Sequence, residues 1–142
     1  MSPTPGYHGR YLRVDLSTGT SEAQPIPEHA LRHFIGGSGL GTWLLHRETL
    51  SVIDPLSPVA PLVFVFSPLV GSPLTTSAKF AVLAKSPLTG RINDSLSSSH
   101  FAIAGKKTGY DAFVIVGRAE KPTCLVIEPD SIRCEPAGGE WL

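Results

Sequence analysis

The sequence predicts an α+β fold, and three observations carry that prediction. The runs Leu62-Val63-Phe64-Val65-Phe66 and Ala112-Phe113-Val114-Ile115-Val116 are continuous, apolar and rich in β-branched and aromatic residues, as strands buried on both faces are. Arg10 to Leu16 alternates Tyr11, Arg13 and Asp15 with Leu12, Val14 and Leu16, the period of a strand with one wet face. Helical spacing is confined to short stretches, which leaves roughly eight short strands and about three short helices.

Taken in order, Ser17-Thr18-Gly19-Thr20 supplies turn chemistry, with Gly19 free to take positive φ, so Ser21 to Ile26 returns as the second strand of a hairpin. Pro27 suits the first position of a helix and Glu28 its positive end. Leu31, Phe34 and Ile35 then fall at helical spacing before Gly36 stops the helix. His29 and His33 stand four apart on it, a spacing that metal sites use. No glutamate lies between them as in HExxH and no third ligand is apparent, so they read as a solvated face. Gly36-Gly37-Ser38-Gly39-Leu40-Gly41 follows a helix rather than a strand and lacks both GxGxxG order and a Gly-Lys-Ser/Thr, which argues against a phosphate loop. Ser38 is expected to cap a second helix whose Leu40, Trp43 and Leu44 face the core, whose glycines permit close packing, and which fades near Ser51.

Turns at Pro55 and Pro58 precede the central strand Leu62–Phe66, which Ser67-Pro68 ends. Gly71-Ser72-Pro73 turns the chain, and the small-residue loop Leu74 to Ala78 leads to Lys79 and the strand Phe80 to Ala84. Ser86-Pro87-Leu88-Thr89-Gly90 breaks the ladder with a proline and closes a turn with a glycine. Beyond Arg91, Asn93 and Asp94, the run Ser95-Leu96-Ser97-Ser98-Ser99-His100 is rich in hydroxyls and poor in core-filling side chains. Read as a loop, it needs a polar partner: water, or a polar ligand held against backbone N–H groups and small side chains. Phe101 to Tyr110 predicts a third short helix, with Phe101, Ile103 and Ala104 partly buried and Gly109 as its stop. Asp111 to Gly117 is the second buried strand, and Cys124 to Glu128 with Ile132 to Glu135 closes the fold as a hairpin across Pro129-Asp130-Ser131.

A chain of 142 residues fits one domain and is large enough to bury roughly two thirds of its unfolded surface. Twelve basic residues balance twelve acidic ones, which argues against nucleic acid or an anionic membrane as partner, since both select a basic surplus. Met1 to His8 lacks the basic and apolar regions of a secretory signal, and no run approaches the roughly 18 apolar residues of a membrane span, so a cytoplasmic protein is expected. Cys124 and Cys134, with no CxxC pair, cannot supply the four thiolates of an iron–sulfur cluster; two buried or half-buried thiols on adjacent strands are expected, with a disulfide as the alternative. Ser99 and His100 are neighbours whose side chains point apart, so they give no hydrolase triad.

Several motifs recur in colinear order. Gly9-Arg10-Tyr11-Leu12-Arg13-Val14-Asp15-Leu16-Ser17-Thr18-Gly19 opens the chain, Asp54-Pro55-Leu56-Ser57-Pro58 precedes the central strand, and Ser86-Pro87-Leu88-Thr89-Gly90 precedes the Ser-rich segment. Ala104-Gly105-Lys106-Lys107-Thr108-Gly109-Tyr110-Asp111-Ala112 and Gly117-Arg118-Ala119-Glu120-Lys121-Pro122 follow. Together, from about Gly9 to Pro122, they resemble the amino-terminal domain of the aldehyde ferredoxin oxidoreductase family. The resemblance implies a β-rich saddle of two sheets, with residues 1–142 forming a single tungstopterin-cradling domain of a larger or split enzyme. Such enzymes oxidise aldehydes to carboxylic acids at a tungsten or molybdenum bis-pterin cofactor with a bridging magnesium, and a [4Fe–4S] cluster passes the electrons to ferredoxin. The family's cluster cysteines and acid/base residues lie in later domains, so the resemblance implies no catalytic residue and no side-chain metal ligand in this chain. It implies as partners the remaining domains or a complementing subunit, and ferredoxin for the full enzyme.

The resemblance also nominates cofactor-binding residues. Lys79 stands where the family carries a basic residue, usually arginine, that contacts the pterin. Leu96-Ser97-Ser98-Ser99 stands where the family usually reads Asn-Ser-Gly-Gly. Ser97 and Ser98 would offer hydroxyls and backbone donors, and Leu96 a main-chain carbonyl toward the magnesium. A seat for a phosphorylated pterin needs this combination of a cation and unobstructed donors. A second reading is a stand-alone or remnant binding and assembly module with the same fold and no catalysis; later domains in the same or an adjacent reading frame would separate the two. An uncovered saddle face exposes an apolar patch, so the chain on its own is expected to self-associate into a homo-oligomer and to bind a hydrophobic dye. A monomer by light scattering with no dye fluorescence would contradict that expectation.

Overall fold

A computed structural model of the chain describes residues 4–49 and 52–138. In chain order it contains β1 (Arg10–Asp15), β2 (Thr20–Pro25), α1 (Glu28–His33), α2 (Gly37–Glu48), β3 (Leu62–Phe66), β4 (Lys79–Lys85), β5 (Ile92–Ser98), α3 (His100–Lys107), β6 (Ala112–Val116), β7 (Thr123–Ile127) and β8 (Ile132–Pro136). The fold is α+β with two sheets, as predicted: one of six strands in the order β2-β1-β6-β3-β4-β5, and the β7-β8 hairpin. β1 runs parallel to β6, and the other neighbours in the large sheet are antiparallel.

The two apolar runs form the middle of the sheet because both of its faces are covered. Val63, Val65, Val114 and Val116 point into one core with Leu31 of α1 and Leu40, Leu44 and Leu45 of α2. Phe66 and Phe113 point into the other, with Ala102 of α3 and Leu125, Ile127 and Ile132 of the hairpin. Phe66 meets Phe113 edge to face with ring centroids 5.0 Å apart, a favoured aromatic geometry. The helices come close because glycines face the sheet. A Cβ at Gly41 would run into the Leu83 side chain, and one at Gly105 into the Phe66 ring.

Several local expectations change. Tyr11 is 1% exposed rather than wet, because α2 covers that face of β1; its hydroxyl donates to Glu48 Oε1, which stands beside Arg13 Nε bound to Glu48 Oε2 at 3.0 Å. Helix α1 stops at His33, so Ala30 and Leu31 are its buried residues while Ile35 is 73% exposed. Ser38 does not cap α2: Gly36 and Gly37, both at φ 47°, turn the chain so that the helix begins ahead of it. The helix ends at Glu48, and Ser51 lies outside the described residues. The Ser-rich run is a strand rather than a loop, because an edge strand needs only the ladder to its neighbour and no buried face. Helix α3 starts at His100 and buries Ala102, Gly105 and Lys106 rather than Ala104. Cys124 and Cys134 are free thiols on adjacent strands, as expected, but only Cys124 is half-buried; Cys134 is exposed, on a strand with little cover.

One polar cluster is built around a fully buried carboxylate. The Asp111 carboxylate, 0% exposed, accepts from the backbone N–H of His8 at 3.0 Å, from that of Gly9 at 2.7 Å and from Lys106 Nζ at 2.5 Å. The His8 ring donates through Nε2 to the Lys106 carbonyl at 3.0 Å. This cluster ties the N-terminal arm to the junction of α3 and β6.

Gly105→Ala is expected to lower stability by about 1–3 kcal/mol, because the added methyl displaces a buried ring. Gly39→Ala on α2, where a Cβ meets only ordinary contacts with Phe34, is expected to cause no loss; denaturant unfolding compares the two. Burial, then the hydrogen bond and charge of Glu48, push the Tyr11 phenol up to about 12, against the lesser pull of Arg47. The folded state therefore holds that proton more tightly than the unfolded chain, whose tyrosine titrates near 10. Its stabilising contribution is complete below pH 10 and is lost as pH rises toward 12. Tyr11→Phe is expected to flatten the stability profile in that window, read by thermal unfolding against pH.

Candidate functional site

The antiparallel register of β4 and β5 brings the nominated residues together. Lys79 pairs with Ser98, Phe80 with Ser97 and Ala81 with Leu96 at one end of the ladder, so Lys79, Ser98 and Leu96 share one face and Ser97 lies with Phe80 on the other. That end is fixed by backbone bonds on both sides: Ser67 N donates to the Lys79 carbonyl at 3.0 Å and Ser99 N to the Ala78 carbonyl at 3.2 Å. Lys79, Leu96, Ser97 and Ser98 line a cavity of about 490 Å³, together with Gly37, Ser67 and Phe80. All four nominated residues thus fall on one cavity.

The opposite wall is the start of α2. Gly36 approaches Pro68 so closely that a Cβ there would stand 2.6 Å from the proline Cδ, which presses the first turn of α2 against the Ser67-Pro68 bend. No side chain caps this helix end and no acidic residue lies in its first turn, so the positive end of the helix dipole has no counter-charge of its own. Gly37 lines the cavity, and a Cβ placed there would meet nothing within 4 Å. The Ser38 hydroxyl donates to Asp94 Oδ2 at 2.5 Å, bridging α2 to β5.

The electrostatics follow from these positions. Lys79 is exposed and forms no ion pair among the described residues. Leu96 is 72% exposed, an apolar side chain projecting from a polar strand. Ser99 is withdrawn from the site, because its Oγ accepts from Phe101 N at 3.1 Å as the N-cap of α3. The same cap occupies the hydroxyl that a Ser99–His100 hydrolase would need. His29 and His33 lie on the exposed face of α1, where His33 Nδ1 meets the His29 carbonyl at 2.7 Å. Among the described residues no group of three or more His, Cys, Asp or Glu side chains is placed to hold a metal ion, and no helix is long and apolar enough to cross a membrane.

The sequence reading missed Gly37, Ser67 and Phe80. The signal for Gly37 was the glycine pair ahead of a helix, which the sequence assigned to close packing; Gly41 has that role, while Gly37 faces open space.

Residues 11–142 match the family model for the aldehyde ferredoxin oxidoreductase N-terminal domain. The chain belongs to the aldehyde ferredoxin oxidoreductase family. Within it, the chain is 38% identical over 136 residues to the tungsten-containing aldehyde ferredoxin oxidoreductase of Pyrococcus furiosus, covering 96% of this chain and 22% of that protein. It is 32% identical to the aliphatic sulfonate oxidoreductase WOR-like subunit of the same organism, covering 95% of this chain and 22% of that protein. Among solved structures it superposes with a TM-score of 0.87 and 26% identity on a chain of the active site complex BamBC of benzoyl coenzyme A reductase in complex with 1,5-dienoyl-CoA. That match covers 93% of this chain and 20% of the other. The chain therefore spans about a fifth of the length of these oxidoreductases.

Proposed function

We propose that residues 1–142 form the cofactor-cradling amino-terminal domain of a tungsten or molybdenum bis-pterin oxidoreductase, with Lys79, Leu96, Ser97 and Ser98 as its seat. The single observation that carries this reading is the convergence of those four residues on one cavity beside the uncapped start of α2. The donor set fits an anionic, phosphorylated ligand. Lys79 offers a cation without a protein partner among the described residues, and Ser98 offers a hydroxyl on the same face of the ladder. Gly37 leaves room for close approach to the backbone at a helix N-terminus. Leu96 presents main chain on the sheet's edge, where half of the backbone groups point away from β4, and a carbonyl there suits the bridging magnesium.

The bound cofactor supplies the two-electron oxidation of an aldehyde to a carboxylic acid. The chain's own part is to bind and orient: Lys79 as a point charge, the serines as adaptable hydrogen-bonding groups, and Phe80 as an apolar flank. The remaining domains, in the same polypeptide or in a complementing subunit, would contribute the [4Fe–4S] cluster, the acid/base residues and the surface for ferredoxin, in a cytoplasmic enzyme. The relatives, of which this chain covers 22%, are between four and five times as long, which supports that division.

The test is metal and pterin content per polypeptide in the full-length enzyme. Lys79→Ala is expected to weaken cofactor retention by roughly 10- to 100-fold, the worth of a hydrogen bond to a charged group. Lys79→Arg is expected to retain the cofactor, since a guanidinium binds phosphate with a planar fork. Full occupancy in Lys79→Ala would overturn the assignment.

A further inference from the structure

Strand β5 supplies three of the residues that line the cavity, yet it has few means of holding its own position. All seven of its residues are exposed, so no buried side chain pins it to either core. It pairs with β4 along one edge, and its other edge has no strand neighbour among the described residues. An edge strand of this kind, with exposed backbone bonds and no buried anchor, belongs to the low-stability end of a fold. Among the described residues its side-chain tie across to another element is the exposed hydrogen bond from Ser38 Oγ to Asp94 Oδ2, 2.5 Å long, between residues 56 apart in sequence.

We propose that Ser38 and Asp94 form a latch that fixes the width of the cavity, and that both are positioning residues for the ligand bound there. The geometry gives the latch its leverage. Ser38 directly follows Gly37, which lines one wall, and Asp94 lies two residues before Leu96 on the same face of β5, which lines the other. Closing the bond holds the first turn of α2 and the strand bearing Leu96, Ser97 and Ser98 at one separation. The bond is charge-assisted, and the carboxylate stands at the end of α2 that has no cap and no acidic residue in its first turn, where the helix dipole favours a negative charge. Asp94 thus complements α2 from a neighbouring element and in return orders β5. Neither residue is among those that line the cavity, so both act through the walls.

This inference rests on the cofactor reading above, and its test separates the two. In the full-length enzyme, Ser38→Ala and Asp94→Ala are each expected to speed amide hydrogen exchange at Asn93, Ser95 and Ser97, whose N–H groups face β4, by roughly three- to tenfold, the worth of one hydrogen bond. They are expected to speed cofactor loss to a chelator by a similar factor while leaving the melting temperature of the apoprotein unchanged. The double variant should do no more than either single one, because both remove the same bond. Asp94→Asn, which keeps an acceptor, should fall between, and the exchange Ser38→Asp with Asp94→Ser should restore slow loss. Unchanged exchange on β5 in Ser38→Ala and Asp94→Ala overturns the latch whatever the cofactor does. Faster exchange with cofactor loss as in wild type, in an enzyme that Lys79→Ala empties, overturns the positioning role alone. Faster exchange with neither the latch variants nor Lys79→Ala losing cofactor overturns both the positioning role and the cofactor reading.

Discussion

The fold depends on one buried carboxylate. Asp111 extends the ladders at the start of β6, where its N–H donates to the Arg10 carbonyl at 2.9 Å and its own carbonyl accepts from Phe66 N at 3.0 Å. Its side chain gathers His8, Gly9 and Lys106. This residue sets the register between β1 and β6, a parallel pairing of segments about a hundred residues apart, and anchors the arm that precedes β1. A buried ion of this kind has to be satisfied on every side, because losing one partner leaves an uncompensated charge worth about 3–5 kcal/mol. Its neighbours are fixed accordingly. Lys106 carries the partner charge at the end of α3, and Gly109, at φ 83°, lets the chain reverse into β6 within two residues.

With the middle of the sheet fixed in this way, the surface left open to a ligand lies at its edge. The inner strands are covered on both faces and offer a ligand nothing but side chains already packed. At β4 and β5 the cover thins. α2 reaches β4, where Leu83 packs against Gly41, but β5 lies beyond the reach of either core. That is where a cation, hydroxyls and free backbone coexist without the cost of burying polar groups. The price is a strand held by one ladder, and the Ser38–Asp94 bond offsets part of it.

Much of this was legible in the sequence, and what was not has a common cause. Apolar runs gave β3 and β6 because their pattern records burial on two faces. The closing hairpin was readable from its turn residues. Alternation misplaces Tyr11 because it records only the side chain's own polarity, and a phenol can be buried when Glu48 from another element accepts its hydrogen bond. β5 was read as a loop because serines carry no burial signal, although its pairing needs only backbone. Asp94 owes its role to Ser38, 56 residues away and outside any local window, whereas Lys106 lies five residues from Asp111, and helical or strand spacing does not record that the turn between them brings the two charges together. Lys79, Leu96, Ser97 and Ser98 were nominated by resemblance to a family; their convergence on one cavity is a consequence of the β4–β5 register.

The register also explains how a site can keep its shape while its residues depart from the family's usual Asn-Ser-Gly-Gly. In place of the two glycines stand Ser98 and Ser99. Ser99 is spent on the cap of α3, so its side chain turns away from the cavity, while Ser98 lies in an extended strand that requires no glycine. Surface free of a Cβ is supplied across the cavity by Gly37, which takes positive φ and faces open space. Close approach to the backbone therefore shifts from β5 to the first turn of α2, where Gly37 lines the cavity and the Asp94 carboxylate, through Ser38, holds the helix start in place. Under the cofactor reading, the hydroxyls of β5 and the bare backbone of α2 divide between them what two glycines on one strand would supply together. The separation of those two walls then becomes the quantity on which binding depends.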